Sequence, residues 1–188
     1  MAGIRVIAGK AKGKRLQMVP GDVARPIPDR VKESLFNIIG ADIEGATFLD
    51  VFAGTGSVGI EALSRGAIHC TFLEMDRLAL KTVRENLLIA GCSDQARVRP
   101  GDAFRLIQGG GGGSFDYVYI APPQYQGLWI DALRAFEANP DWMNPDAWVI
   151  VQIHPKEYEE LDLSSLVEFD QRKYGNTLLL FYEYLPEG

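Results

Sequence analysis

Leu49-Asp50-Val51-Phe52-Ala53-Gly54-Thr55-Gly56-Ser57-Val58-Gly59-Ile60-Glu61-Ala62-Leu63-Ser64-Arg65-Gly66 is the stretch that decides the architecture. The run at 47–51 is short and apolar enough to read as a strand. Three glycines follow at the spacing G-x-G-x-x-G, and residues 58–65 then read as a helix that Gly66 closes. Strand, glycine turn and helix make the first half of a crossover unit, the connection that parallel strands require.

Working towards the C-terminus, the unit repeats. Residues 69–74, 96–99, 115–120 and 147–153 read as strands, and 77–90, 103–107 and 128–138 as helices. Gly109 to Gly113 form an uninterrupted glycine loop. The tail differs, because 167–173 and 177–184 flank Tyr174-Gly175-Asn176 with no helix between them, which predicts a hairpin. Upstream, 4–8 and 14–19 read as a β-hairpin around Gly9-Lys10-Ala11-Lys12-Gly13. After Pro26 and Pro28, Asp29 is a candidate N-cap for a helix carrying Val31, Leu35, Ile38 and Ile39, which Gly40 stops. The expected fold is α/β: a mostly parallel Rossmann-like sheet at 41–188 with an antiparallel C-terminal edge hairpin, preceded by a small hairpin-and-helix extension at 1–40.

Composition narrows the class. No stretch approaches the roughly 18 apolar residues of a membrane helix. The start, Met1-Ala2-Gly3-Ile4-Arg5, lacks the apolar core of a secretory signal, so a cytoplasmic location is expected. Cys70 and Cys92 have neither metal-ligand nor redox spacing and read as structural. The expectation is a monomer without a metal. The net charge is -6, but residues 1–40 carry eight basic and three acidic groups, +5, against eleven and twenty-two, -11, in the remainder. A basic arm on an acidic body suits a phosphate backbone, and equally suits a solvated tail.

In such a sheet the ligand lies at the carboxyl ends of the strands. The candidates there are Asp50, Phe52, Ala53, Gly54, Thr55, Gly56 and Gly59, then Glu74 and Met75, then Asp102 and Ala103, then Ala121 to Tyr125. The glycine pattern alone serves dinucleotides and S-adenosylmethionine alike. A carboxylate at Asp50 suits a cationic amino group and repels a pyrophosphate, which favours S-adenosylmethionine over a nicotinamide cofactor. Glu74 is placed to accept from ribose hydroxyls, and Asp102 from an adenine amine, although Asp102 before Ala103 is equally a helix cap.

Ala121-Pro122-Pro123-Gln124-Tyr125 carries the sharper signal. Consecutive prolines fix φ and remove two donors, leaving a rigid row of carbonyl acceptors. Acceptors on the N–H bonds of an exocyclic amine favour pyramidal attack and offset the developing positive charge. Tyr125 or Trp129 can stack on a base swung out of its helix. The alternative is a structural Pro-Pro turn with core aromatics.

At these residues the chain resembles the RsmD family, bacterial methyltransferases acting on a guanine 2-amino group of small-subunit ribosomal RNA. The resemblance runs through Arg5-Val6-Ile7-Ala8-Gly9-Lys10, Gly13-Lys14-Arg15-Leu16, Arg25-Pro26, Asp29 to Ile38, Leu49 to Ala67, Glu74-Met75-Asp76, Gly101-Asp102-Ala103 and Arg172 to Thr177. It implies that the glycine loop, Asp50, Glu74 and Asp102 hold S-adenosylmethionine. It also implies that Arg5, Lys10, Lys12, Lys14, Arg15, Arg25 and Arg30 contact ribosomal RNA in the small subunit. One departure stands out: the family reads Asp-Pro-Pro-Tyr or Asp-Pro-Pro-Phe where this chain has Ala121-Pro122-Pro123-Gln124-Tyr125. The charged acceptor is missing and the aromatic is one position later. Losing one charge-assisted hydrogen bond costs ~1.5–3 kcal/mol in the transition state, roughly one to two decades of rate. Gln124 and the carbonyls of Ala121 and Pro122 remain as acceptors. Two other readings stay open: methylation of another base or of a protein amide, and a non-catalytic RNA-binding or assembly factor.

Overall fold

The computed structural model describes residues 3–21 and 26–188. Two short strands, β1 (Ile4–Arg5) and β2 (Arg15–Leu16), pair antiparallel ahead of helix α1 (Asp29–Ile39). Strands and helices then alternate: β3 (Thr47–Asp50), α2 (Ser57–Ser64), β4 (His69–Glu74), α3 (Arg77–Ala90), β5 (Ala96–Pro100), α4 (Ala103–Gly109), β6 (Phe115–Ile120), α5 (Leu128–Ala138) and β7 (Met143–Ile153). A hairpin of β8 (Leu166–Tyr174) and β9 (Thr177–Tyr184) ends the chain. The seven-stranded sheet has the order β5-β4-β3-β6-β7-β9-β8. Its first five strands are parallel, while β9 runs antiparallel to both β7 and β8. The hairpin therefore turns back on itself: β9 lies against β7, and β8 forms the outer edge.

Because strand residues alternate between faces, each strand feeds two cores. Phe48, Phe72, Tyr117, Tyr119, Ile150 and Phe181 pack on one face with residues of α1, α2 and α3. Leu49, Val118, Ile120, Val149 and Leu180 pack on the other with α4 and α5. Trp129, Ala132, Leu133 and Phe136 supply the buried stripe of α5 at helical spacing.

Several expected boundaries shift, each for a local reason. Pro28, not Asp29, is the N-cap of α1, and the Asp29 carboxylate instead accepts from Arg5 Nε at 2.9 Å. The hairpin strands shrink to two residues each: Val6 still bonds across to Lys14 and Gly13, but the backbone of Ile7, Lys10 and Ala11 bonds to α2, and that of Gln17 to Asn86 of α3. Ile7 N donates to Glu61 at 3.0 and 3.1 Å, Ala11 N to Ser64 Oγ at 2.9 Å, and Lys10 N to the Ser64 carbonyl at 2.8 Å. β7 begins four residues earlier than its apolar run; Asp146 is left-handed at φ 66°, and the pairing with β6 is irregular between Phe115 and Tyr117.

Every residue of α2 is buried, Glu61 and Ser64 included. One side faces the sheet and the other faces the N-terminal extension. Ile4, Val6, Ala11 and Leu16 of that extension share the apolar core with α2. Lys32 is fully buried in α1 and donates from Nζ to the Arg5 carbonyl at 2.7 Å, while Arg65 donates to Glu61 at 3.3 Å. Burial pushes the Lys32 ammonium down and the Glu61 carboxyl up, and the attraction between the two opposes both shifts.

Gly9 sets how closely the hairpin approaches. Its φ is +86°, and a Cβ there would lie 1.8 Å from the Ser64 carbonyl oxygen. Gly13 has a similar φ of +83° with nothing within 4 Å. Gly13→Ala is expected to cost about 1 kcal/mol of unfolding free energy, from backbone strain alone. Gly9→Ala adds steric displacement and is expected to cost about 2 kcal/mol more, as read by urea denaturation of the two variants side by side.

Candidate active site

The carboxyl ends of β5, β4, β3 and β6 lie side by side, with Glu74 opposite Pro100, and Asp50 opposite Phe72 and Tyr119. β3 sits between β4 and β6, so the chain leaves it in one direction and returns on the other side. A crevice opens at such a switch point. The loops after these strands bring Asp50, the glycine loop, Glu74, Asp102 and the Pro-Pro turn to one end of the sheet.

The glycine loop is tied down from three sides. Gly54 N donates to Glu74 Oε2 at 2.8 Å, and Ala53 N to the Leu73 carbonyl at 3.1 Å. On α3, Asn86 donates to the Thr55 carbonyl at 2.8 Å and to the Gln17 carbonyl at 3.0 Å, and accepts from Gln17 N at 2.7 Å. This single buried amide links the loop to the N-terminal extension. Gly59 permits the close packing of α2 on the sheet, since a Cβ there would meet Phe72 at 2.4 Å and Cys70 Sγ at 2.7 Å. Gly56 is the left-handed N-cap of α2.

Asp50 is 1% exposed. Its Oδ2 accepts a long bond, 3.3 Å, from Gly59 N, and its Oδ1 is buried without a partner among the described residues. Burial pushes its pKa up to about 8; the Gly59 bond opposes that shift, and the nearby Glu74 charge adds to it. An orphaned buried acceptor is costly unless a ligand supplies the donor. Gly54 opens onto space that a Cβ would fill without meeting any atom within 4 Å. A cationic nitrogen donor at Asp50, with its ligand drawn across the loop, fits both observations.

Glu74 is already engaged: Oε1 accepts from Met75 N and Asp76 N at 2.9 Å each, in addition to the Gly54 bond on Oε2. The two bonds fill Oε1, and Oε2 keeps a further lone pair for a hydroxyl donor. Asp102 caps α4 by accepting from Arg105 N at 3.0 Å, with Ala103 buried behind it. Phe52 packs edge-on against Phe104, their ring centroids 6.2 Å apart, and Met75 is exposed beside Glu74.

Ala121 and Pro122 are half-buried at the end of β6, whereas Pro123 and Gln124 are exposed. Among the described residues, no backbone amide donates to the Ala121 or Pro122 carbonyl. Of the two candidate stacking aromatics, Tyr125 is 64% exposed, but Trp129 is only 1% exposed. Trp129 belongs to the α5 core and cannot stack on a ligand, which corrects the expectation for that residue. Two groups that sequence reasoning left without a role adjoin Tyr125. Glu157 Oε1 accepts from Tyr125 N at 2.7 Å, and the His154 ring lies 5.6 Å from the Tyr125 ring.

Among the basic candidates, Lys10, Lys12, Lys14, Arg15 and Arg30 are exposed, and Arg5 is paired with Asp29. Arg25 lies outside the described residues. Cys70 and Cys92 are buried free thiols, and burial pushes both up, Cys92 to about 11. No helix of the described residues is long and apolar enough to cross a membrane.

The Asp50 shift has a definite sign. Its folded value lies above the ordinary 3.8, so folding takes up a proton between about pH 4 and pH 8. Stability from this group is fully present below about pH 4 and is lost as pH rises through about 8. Asp50→Asn is therefore expected to melt progressively higher than the native protein as pH rises from 5 to 8, in calorimetric scans without ligand.

Residues 4–183 match the sequence family described as Conserved hypothetical protein 95. A relative in Haemophilus influenzae, named ribosomal RNA small subunit methyltransferase D, is 37% identical over 151 residues, covering 79% of this chain and 78% of that protein. The solved structure of yhhF from Escherichia coli superposes with a TM-score of 0.86 at 30% identity, covering 98% of this chain and 99% of that one. The fold is also that of an RNA methyltransferase from Salinibacter ruber solved with S-adenosyl-L-homocysteine, at a TM-score of 0.66 and 16% identity, covering 87% of this chain and 95% of that one. With its match running from the first hairpin to the last strand, the chain belongs to the Conserved hypothetical protein 95 family, which is the RsmD family.

Proposed function

We propose that the chain is an S-adenosylmethionine-dependent methyltransferase that modifies the exocyclic 2-amino group of a guanine in small-subunit ribosomal RNA, acting as a cytoplasmic monomer. The observation that carries this reading is the unpartnered, buried Asp50 Oδ1 beside the glycine loop. It calls for a cationic donor rather than a phosphate. The name of the Haemophilus influenzae relative supports small-subunit ribosomal RNA as the substrate.

Asp50 holds the amino group of the methionine moiety, Glu74 the ribose hydroxyls, and Asp102 with Ala103 the adenine edge. Phe52, Ala53, Thr55 and Met75 line the remainder. When bound, S-adenosylmethionine supplies an electrophilic methyl carbon on a sulfonium. The chain's own task is then proximity and orientation. The free carbonyls of Ala121 and Pro122, stiffened by Pro122 and Pro123, accept from the target amine, with Gln124 as a further acceptor. Lys10, Lys12, Lys14, Arg15, Arg25 and Arg30 contact phosphates, with Arg5 on the same extension.

A second reading is a non-catalytic RNA-binding factor, and it has one observation in its favour, the apolar side chain at Ala121. Methyl transfer separates the two, and the binding measurements test the donor site and the basic extension that both readings share. Purified protein with labelled S-adenosylmethionine is expected to methylate small subunits from cells lacking the endogenous enzyme, with 2-methylguanosine as product; donor and RNA binding without transfer favours the factor. Ala121→Asp is expected to raise kcat about ten- to a hundredfold by restoring a charged acceptor. Donor binding is expected to tighten as pH rises towards 8 and to release a proton below it, because the ligand's cation holds Asp50 ionised; calorimetry in buffers of different ionisation enthalpy reads this out. Replacing Lys12 or Lys14 by Ala is expected to weaken RNA binding at every sequence and to lower the salt slope by about 1 each.

A further inference from the structure

Tyr125 is one of only two non-glycine residues among those described with a positive φ, at 62°. A left-handed tyrosine costs roughly 1–2 kcal/mol and persists only where its surroundings hold it. What holds it comes from the next strand. Glu157, in the turn after β7, accepts from Tyr125 N at 2.7 Å on Oε1 and from His154 N at 3.0 Å on Oε2. One carboxylate thus ties the loop after β6 to the loop after β7. His154 Nδ1 in turn accepts from Lys156 N at 3.1 Å, which fixes the imidazole plane. The two rings lie 5.6 Å apart at an interplanar angle of 38°, and Tyr125 keeps most of its surface open to solvent.

An exposed aromatic locked in a strained conformation, beside free carbonyls at a strand tip, is a surface prepared for a planar ligand. We propose that Glu157 is a positioning residue that holds the Tyr125 ring against His154, and that these two rings form the outer wall of the acceptor-base site, with Tyr125 stacking on the extruded base. This rests on the methyltransferase reading above. The aromatic that stands one residue later than the family pattern is thus left-handed and lies against His154. Stacking on one aromatic is worth about 1–3 kcal/mol per base, so the wall governs acceptor affinity rather than donor binding.

The test uses the full chain, small subunits lacking the modification, and S-adenosylmethionine. Glu157→Gln turns one of two acceptors into a donor facing an N–H, and is expected to raise KM for the subunits about tenfold. Its kcat and its Kd for the methyl donor are expected to stay within threefold of the native values. Tyr125→Ala is expected to give the same rise, and the double variant no more than either alone. Glu160→Gln, an equal change of charge on the exposed segment before β8, controls for net charge. Tyr125→Gly removes the ring and relieves the left-handed strain, so it is expected to show the KM defect without a fall in Tm. Additive effects in the double variant, an unchanged KM, or an equal loss of donor binding would overturn the proposal. Should native protein bind the donor yet methylate no RNA, the functional reading falls. Hydrogen exchange then still tests the clamp: the Tyr125 amide is expected to be protected in the native chain and fast in Glu157→Ala, which removes both acceptors, and equal rates overturn it.

Discussion

A helix buried on every side must satisfy its polar groups with whatever surrounds it, and α2 is such a helix. Glu61 and Ser64 find their partners in the backbone of the N-terminal hairpin: Ile7 N for the carboxylate, Ala11 N and the Ala8 carbonyl for the hydroxyl. Removing the hairpin would leave a carboxylate and a hydroxyl exposed on a face built to be covered, along with the apolar residues between them. The glycine loop leads directly into α2, so whatever fixes the helix also fixes the loop. Asn86 closes the circuit by bonding Thr55 on the loop and Gln17 on the extension with the same amide group. The extension and the crevice are mechanically one unit.

Preorganisation is uneven around the crevice. Glu74 already accepts three backbone N–H bonds, one of them from the glycine loop, so the side expected to hold the ribose is rigid before any ligand arrives. Asp50 is the opposite case. Among the described residues its second oxygen has no donor, and burial pushes its pKa up to about 8. The crevice therefore has one carboxyl set by its own backbone and another whose second oxygen waits for a donor.

Much of this was legible in the chain because the relevant signals are local. The alternation of strand and helix follows from hydrophobic period and from glycine punctuation, and it located the carboxyl ends of β3, β4, β5 and β6 within a residue or so. The strand-end acids could be named for the same reason. What was not legible depends on partners distant in sequence. Lys32 and Glu61 look like ordinary solvated charges, and only the packing of α1 and the hairpin on α2 makes them interior. Glu157 lies 32 residues from Tyr125, and no pattern connects them. The first turn of β7 was hidden because Pro145 and the left-handed Asp146 carry loop chemistry inside a strand. The burial of Trp129 was readable in principle, since Trp129, Ala132, Leu133 and Phe136 fall at helical spacing, but its nearness to the Pro-Pro turn suggested a ligand instead.

The separation of charge along the chain acquires a further meaning once the hairpin is known to be fastened down. Positive groups on a fixed projection and a negative remainder make the molecule an electric dipole, and a polyanion exerts a torque on it during approach. At physiological ionic strength that torque acts only over the last ~8 Å, where the acidic side is repelled and the hairpin tip is drawn in. A floppy arm would lose the information at contact. Because this one is bonded to the helix that leads from the glycine loop, the attitude in which the protein lands is the attitude in which its crevice is presented.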